Sequence, residues 1–318
     1  MAAYIRRRLI QAVFVLIIVS LMVFIVIRLM PGDPILVYLS QQEMQNLTKE
    51  QIEQARHEFG LDKPLMLQYI DWISSLYRGE FGTSLFYREE VSNLLIQRVP
   101  ITLHLGLLAF VISAILGITA GMLAALTRGR WLDTLMTTLA NLGITVPVFW
   151  LGILMIYLFG LRLGLLPIFG YTSPFDAFWQ SMKQLIMPVC CLAIFALASS
   201  ARQTRSSMLE VMQQDYIRTA WSKGLKERVI VMRHILKNGL IPVITLKGMS
   251  LSQILGGSVL IETVFNIPGM GRLSVEALLS KDYAIIQAVV FLTAIIVVLV
   301  NLIVDISYGW LDPRIRYS

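Results

Sequence analysis

The chain has 318 residues, 56% of them hydrophobic, a mean hydropathy of +0.70 and a formal net charge of +7. Several apolar runs are long enough to cross a bilayer core as helices, which takes about 20 residues, and this excludes a soluble globular protein. Basic residues collect in the cytoplasmic loops of membrane proteins, so we do not interpret the positive charge as a sign of nucleic-acid binding.

The first predicted element is a spanning helix over residues 9–27, preceded by three arginines, Arg6 to Arg8. A signal peptide also begins with positive charge, but its apolar core has about 7–15 residues and ends at a small-residue cleavage site. This run is longer, and "IRLMPGDP" follows it without such a site. Residues 1–30 are therefore interpreted as a cytoplasmic amino end and a retained transmembrane helix.

A polar segment, 31–98, follows and is predicted to fold outside the cytoplasm. Within it, "LTKEQIEQARHEFG" has a capping Thr48 and a terminating Gly60, which is typical of a helix. The segment is too long for a simple connector.

Residues 99–318 are predicted to form the core, with five further spans. Apolar runs place them at about 100–126, 133–160 (interrupted at Pro147), 185–201, 240–261 and 284–308. With the amino end inside, the loops predicted to be cytoplasmic contain 15 of the 27 basic residues. The positive-inside rule thus gives six transmembrane helices with both termini cytoplasmic.

Two spans have small residues at every fourth position. These residues are Ser113, Gly117, Gly121 and Ala125 in the second span, and Gly248, Ser252 and Gly256 in the fifth. Helices in lipid associate through close packing over small residues. The pattern predicts tight packing, either within this chain or against a second membrane subunit.

Motifs for catalysis and metal binding are absent from the sequence. There is no G-x-x-x-x-G-K-[ST] loop, no H-E-x-x-H motif and no G-x-S-x-G elbow. We predict no catalytic residue, no metal site and no cofactor bound by this chain. Ionisable residues inside spans mark ion paths by default, but Lys247 and Asp305 lie towards the cytoplasmic ends of their predicted spans, where they can reach the interface or polar partners. A proton- or sodium-coupled carrier more often has carboxylates near the midplane. An independent secondary transporter is kept as the alternative of another class.

The predicted cytoplasmic loop 202–239 combines basic charge with an apolar stripe. The stripe consists of Trp221, Leu225, Val229, Met232 and Leu236, at spacings of four, four, three and four. This spacing predicts an amphipathic helix over 218–236. Such a helix lies on a lipid surface or in the groove of a partner. Gly224 permits a turn or a close backbone approach.

Within this loop, "DYIRTAWSKG" followed by "RHILKNGLIPVIT" resembles the coupling loop of the permease subunits of ATP-binding cassette (ABC) importers. The general pattern is Glu-Ala-Ala, three residues, Gly, nine residues, then Ile-x-Leu-Pro. Ala220 and Gly224 match it, whereas Arg218 and Thr219 replace the Glu and the first Ala. The departures follow the variant of the dipeptide/oligopeptide/nickel group. "MPGDP" (30–34), "ETVFNIPGMGRL" (262–273) and the terminal "LDPRIRYS" resemble the first, B-type, permease of the pair in that group.

The resemblance implies an all-α integral membrane protein with the type I ABC importer permease fold. The chain would pair with a second, homologous permease as a heterodimer in a bacterial inner membrane, surrounded by the lipid bilayer. Two ABC ATPases would hold ATP and Mg, and an extracytoplasmic binding protein would deliver substrate. The implied substrates are di- and oligopeptides, with nickel complexes and glutathione as alternatives within the family.

The resemblance and the stripe also identify candidate site residues. The candidates for ATPase coupling are Arg218, Ala220, Trp221, Gly224, Leu225, Val229, His234 and Leu236. The candidates for an extracytoplasmic gate or loop are Glu262, Phe265, Pro268, Gly269, Gly271 and Arg272. Pro268 and the two glycines suit a tight turn that dips back towards the pathway, because irregular backbone is tolerated where it lines a cavity.

Overall fold

The computed structural model describes residues 2–29, 53, 56–57 and 60–311. The predicted helix over 47–60, the "MPGDP" stretch and the terminal "LDPRIRYS" lie largely or wholly outside these residues. The chain divides into two compact units, Met1–Ile101 with Pro268–Leu302 (unit 1) and Thr102–Ile267 with Ile303–Ser318 (unit 2).

The described residues are organised mainly as helices. In chain order the helices are α1 Ala2–Leu29, α2 Leu65–Tyr77, α3 Val91–Leu126, α4 Trp131–Thr145, α5 Val148–Met155 with its π-helical continuation Ile156–Arg162, α6 Phe178–Met212, α7 Asp215–Ser222, α8 Glu227–Val229 with its continuations Ile230–Leu236 and Lys237–Gly239, α9 Ile241–Val264, α10 Met270–Ser280 and α11 Tyr283–Leu311.

Five of these helices, α1, α3, α6, α9 and α11, are long and apolar enough to cross a membrane. Helices α4 and α5, which meet at an angle of 104°, make a sixth such span when they are counted together. The bend falls at Pro147, as predicted, because a proline pushes the preceding residue, here Val146, out of helical conformation. The prediction of an all-α fold with six spans, the third of them interrupted, is confirmed.

The predicted bounds of two spans are too narrow. Helix α3 begins at Val91 rather than near residue 100 and passes through Pro100. Helix α6 runs to Met212, so the first part of the predicted loop 202–239 is helical. Hydropathy marks only the apolar part of a helix, whereas backbone hydrogen bonding continues into the polar turns at either end.

In unit 2, helix α6 lies at the centre and packs against α4, α5 and α9. The small residues of α3 face it. A Cβ at Gly117 would lie 2.8 Å from the Leu197 carbonyl oxygen, and a Cβ at Gly121 would overlap the Ala201 carbonyl oxygen. The stripe in α3 therefore serves packing within this chain.

Two glycines of α9, Gly248 and Gly256, differ in how closely other side chains pack against them. A Cβ at Gly248 would overlap the Val304 side chain of α11. A Cβ at Gly256 would meet no atom within 4 Å. Only the first of these two positions needs glycine for packing within the chain.

In unit 1, α1 and α2 are joined by aromatic side chains. The Phe24 ring lies 5.4 Å from that of Tyr69 and 6.1 Å from that of Trp72. The Trp72 ring also contacts Phe291 of α11, at 5.8 Å. A second cluster of buried residues, including Val91, Leu273 and Ile285, joins the start of α3 to α10 and α11. Helix α2 lies beyond the predicted helix over 47–60 and was not predicted.

Candidate functional site

The basic segment, residues 202–239, contains two helices where the apolar stripe predicts one over 218–236. Helix α7 ends at Ser222 and α8 begins at Glu227. Gly224 lies between them with φ of +71°, and its N–H donates to the Trp221 carbonyl oxygen at 2.9 Å. A residue in left-handed conformation after the last turn ends a helix. The prediction of one helix over 218–236 is therefore wrong, whereas the turn that Gly224 was expected to permit is present.

One side of the basic segment is buried in unit 2. Ile217 and Ala220 of α7 and Ile230, Val231 and Ile235 of α8 form a cluster. This cluster also contains Met208 of α6 and Ala125 of α3. The tip of α8 is tight against α6, because a Cβ at Gly239 would lie 3.1 Å from the Met208 Cγ atom. Helices α7 and α8 therefore pack directly on α6, the central helix of the unit.

The opposite side presents apolar side chains that the described part of the chain leaves exposed. Trp221 is 49% exposed, Leu225 and Val229 are each 39% exposed, and Met232 is 53% exposed. We call these four residues the exposed apolar face. The unfavourable exposure of a Trp and three aliphatic side chains together is typical of a surface that binds a partner.

The other predicted coupling residues do not all lie on this face. Ala220 is buried on the opposite side, and His234 and Leu236 are half-buried. Arg218 is exposed and lies 3.5 Å from the Asp215 carboxylate. No atom of the described residues lies within 4 Å of a Cβ placed at Gly224, so the glycine is needed there for its backbone conformation rather than for a close approach.

An ion pair between a half-buried Arg205 and a buried Asp133 links α6 to the start of α4. The Arg205 Nε and a terminal guanidinium nitrogen donate to the two carboxylate oxygens of Asp133, at 2.6 and 2.9 Å. Asp133 also accepts a hydrogen bond from the Gly129 N–H at 3.0 Å. Such a two-point contact fixes both side chains. The pair was not predicted, because its members are 72 residues apart and neither belongs to a local pattern.

The predicted gate residues Glu262 and Phe265 lie in unit 2, at the end of α9. Glu262 is within the helix rather than in the loop, and its carboxylate accepts a hydrogen bond from the Thr102 hydroxyl at 2.7 Å. Phe265 is buried, and its carbonyl oxygen accepts from the Gly170 N–H at 3.3 Å. These contacts join the end of α9 to α3 and to the 163–177 connection.

The remaining gate residues, Pro268, Gly269, Gly271 and Arg272, lie in unit 1. Only the first two precede a helix there, so the turn covers fewer residues than predicted. Gly269 has extended backbone and precedes α10, so Gly271 and Arg272 are helical. The prediction of a turn through Gly271 is wrong, because Met270, Leu273 and Ala277 place apolar side chains on one buried helical face.

Arg272 belongs to a polar network in unit 1. Its Nε atom donates to the Glu276 carboxylate at 2.7 Å, and the Tyr87 hydroxyl donates to the same carboxylate at 2.7 Å. Burial, together with this hydrogen bond, raises the pKa of Tyr87 to about 12. The phenol therefore stays neutral and remains a donor throughout the physiological pH range.

Lys247 of α9 lies inside unit 2 and is only 6% exposed. Its Nζ atom donates to the Ser113 hydroxyl at 2.9 Å and to the Ala196 carbonyl oxygen at 3.4 Å, and it lies 5.9 Å from the centre of the Phe110 ring. The ammonium thus finds polar partners within the chain, on α3 and α6. Burying a charge without a counter-charge costs several kcal/mol, of which neutral acceptors offset only a part.

Two family models match the chain along nearly its whole length. The model described as "Binding-protein-dependent transport system inner membrane component" matches residues 117–317. Its amino-terminal counterpart, "Binding-prot-dependent transport system membrane comp, N-term", matches residues 1–106.

Curated relatives are similar from end to end. A putative peptide transport system permease protein of Brucella abortus (strain 2308) is 41% identical over 318 residues, 100% of both chains. A dipeptide transport system permease protein of Alkalihalophilus pseudofirmus is 36% identical over 337 residues, and a glutathione transport system permease protein of Escherichia coli O1:K1 / APEC is 39% identical over 318, each covering 100% of both chains.

A solved structure has a similar fold. The inward-facing MetNI methionine ABC transporter matches with a TM-score of 0.57 at 19% identity. The match covers 69% of this chain and 96% of that one. This likeness supports the helical arrangement predicted from the coupling-loop resemblance.

Proposed function

This chain belongs to the family of binding-protein-dependent transport system inner membrane components, and we propose that it forms, with a second related permease, the pathway by which small peptides enter the cell. The observation that carries the proposal is its end-to-end similarity to permeases named for peptides, at 36% to 41% identity. The chain itself carries out no catalysis in this proposal. ATP and Mg are bound by separate ATPase subunits.

The exposed apolar face favours a mechanical role for the basic segment. We assign to it the docking of an ATPase, with Trp221, Leu225 and Val229 as the buried contact. Closure of the ATPases on ATP would displace α7 and α8. Because both helices pack on α6 and α3, the displacement would reach the spans and shift them between two states.

The orientation of the chain follows from the same role. The ATPases act in the cytoplasm, so the basic segment lies there, and six spans then place both termini on that side. The connection after α5 and the end of α9 lie on the outer side, where an extracytoplasmic binding protein would release its substrate.

Glutathione is a second candidate substrate, because one relative at 39% identity is named a glutathione permease. Glutathione is itself a tripeptide with an unusual first linkage. A pathway for short peptides and one for glutathione therefore demand similar chemistry, and only a direct comparison of the two substrates separates them.

Uptake by the reconstituted complex tests the proposal. The chain, its second permease, the ATPases and the binding protein are placed in proteoliposomes and supplied with a radiolabelled tripeptide. Glutathione and a nickel complex are tested as competitors. We expect peptide uptake that requires both ATP and this chain. Uptake by this chain alone, driven by a proton gradient without ATP, would identify a secondary transporter instead.

A further inference from the structure

The buried ammonium of Lys247 has no negative partner within the described residues. Its two hydrogen bonds go to a hydroxyl and a carbonyl oxygen, on Ser113 and Ala196. The ion pairs of the described residues involve other side chains. An ionisable side chain inside a membrane span is costly to bury, and such residues line the paths of substrates or ions.

A cleft of about 110 Å³ lies within unit 2, and Ala196, whose carbonyl oxygen accepts a hydrogen bond from the ammonium, is one of the residues that line it. Leu192, Phe195 and Ala196 of α6 line one side of it, and Ser250, Gln253 and Ile254 of α9 line another. Two of these residues also contact Lys247. Ala196 accepts the longer of its hydrogen bonds, and the Ser250 hydroxyl donates to the Lys247 carbonyl oxygen at 2.8 Å. The positive charge is thus separated from the cleft by one layer of residues.

We infer that Lys247 is a specificity-determining residue that attracts the carboxylate of a substrate into this cleft. An ammonium has three donors, and the structure uses two of them, one at the long distance of 3.4 Å. A carboxylate in the cleft supplies the missing negative charge across the layer that Ala196 forms, because opposite charges attract strongly in the low-dielectric interior of a protein. The inference rests on the proposed function, since every linear peptide has a free carboxylate at one end.

Two other roles would account for the same contacts. A clamp that only joins α3, α6 and α9 would hold the helices together whatever the charge of the substrate. A counter-ion for an acidic residue of the second permease would be needed for assembly of the pair. The experiment has to separate both of these roles from substrate recognition.

The test compares two probes that differ in one charge, tri-alanine and tri-alanine amide. Both are supplied to the complete reconstituted complex with wild-type chain, Lys247→Met or Lys247→Arg. We expect Lys247→Met to lower the ratio of acid to amide uptake about tenfold, or about 1.4 kcal/mol. Lys247→Arg should keep most of the wild-type ratio. Because the binding protein is the same in every sample, its own preference cancels from the change in this ratio.

Lys183→Met is the matched control, because it removes one exposed lysine of α6 and leaves Lys247 in place. Its ratio should equal that of the wild type. Equal losses of acid and amide uptake in Lys247→Met would overturn the inference in favour of a clamp. Loss of the second permease on purification of Lys247→Met would overturn it in favour of a counter-ion between subunits. If the wild-type complex transports neither probe while its ATPases remain active, the proposed function fails first.

Discussion

Gly224 adopts a φ of +71° at the turn between α7 and α8. A side chain in this left-handed region costs about 1–2 kcal/mol, except that asparagine adopts it more readily. We expect Gly224→Leu to distort the turn and displace the exposed apolar face, and so to reduce co-purification of the ATPases at least several-fold. Pull-down from detergent-solubilised membranes, normalised to the level of the chain, measures this.

Gly224→Asn is the matched control for the turn. It adds a side chain at the same place, where nothing of this chain lies within 4 Å, but it tolerates the backbone conformation. Retention of the ATPases by Asn and their loss with Leu would attribute the effect to the backbone. Equal loss with both residues would contradict this and indicate that the ATPase needs a bare glycine.

The structural role of a single residue can be predicted from the sequence when it depends on the residues next to it in the chain. Gly224 was a candidate because it interrupts an apolar stripe, and Pro147 because it interrupts an apolar run. The ion pair of Asp133 and Arg205 follows no such rule, because only the packing of α4 on α6 brings its members together. The partners of Lys247 could not be predicted for the same reason.

Helices α7 and α8 act as one element if their exposed apolar face binds an ATPase. Leu225→Asp would then bury an unpaired carboxylate at the interface, at a cost of several kcal/mol. At about 1.4 kcal/mol per factor of ten, ATPase affinity should fall a hundredfold or more. The measurement is ATPase binding to the chain in nanodiscs, followed by substrate-stimulated ATP hydrolysis.

Lys226→Ala is the control for this element, since Lys226 is exposed and its side chain makes no capping hydrogen bond to α8. It should bind ATPases like the wild type. If Leu225→Asp also binds and stimulates normally, the exposed apolar face does not dock the ATPase, and contact with the lipid surface becomes the better explanation.

The packing of α3 on α6 depends on the glycines of α3. A Cβ at Gly121 would overlap backbone of α6, and backbone cannot move aside as a flexible side chain can. We expect Gly121→Val to destabilise the chain by about 1–3 kcal/mol or more. The melting temperature in detergent and the level of folded protein in membranes report the loss.

Gly256→Ala provides the comparison, because a Cβ there meets no atom within 4 Å and the residue lies in the helical span α9. The Ala variant should be at least as stable as the wild type, since alanine favours helix. If Gly256→Ala lost as much stability as Gly121→Val, the loss at Gly121 could not be attributed to overlap between α3 and α6.

At this scale the sequence predicted which helices exist better than where they end. The apolar runs located all six spans, yet α3, α6 and the helix after Gly269 extend through polar residues that hydropathy does not mark. The break within the basic segment shows the opposite error. The apolar spacing of three and four continues across the turn, because α7, the turn and α8 each leave an apolar side chain exposed, on Trp221, Leu225 and Val229.

In the whole molecule, charge decides which side of the membrane each loop occupies. The basic segment contains eight of the 27 basic residues, and the positive-inside rule predicts that such a segment lies in the cytoplasm. An exposed position on each side of the proposed arrangement can test this. Lys226 lies in the turn before α8, and Phe175, which is 97% exposed, lies in the connection before α6.

We expect a cysteine at position 175 (Phe175→Cys) to react with a membrane-impermeant maleimide in intact cells, once any outer membrane has been made permeable. A cysteine at position 226 (Lys226→Cys) should react only after the cells are lysed. Native Cys190 is exposed on α6, so it and Cys191 are first replaced by alanine, and that background supplies the blank. The labelling is read on a gel as a shift in mass. Labelling of position 226 but not 175 in intact cells would contradict the proposed orientation. It would show that the exposed apolar face lies on the outer side of the membrane, where no ATP is available.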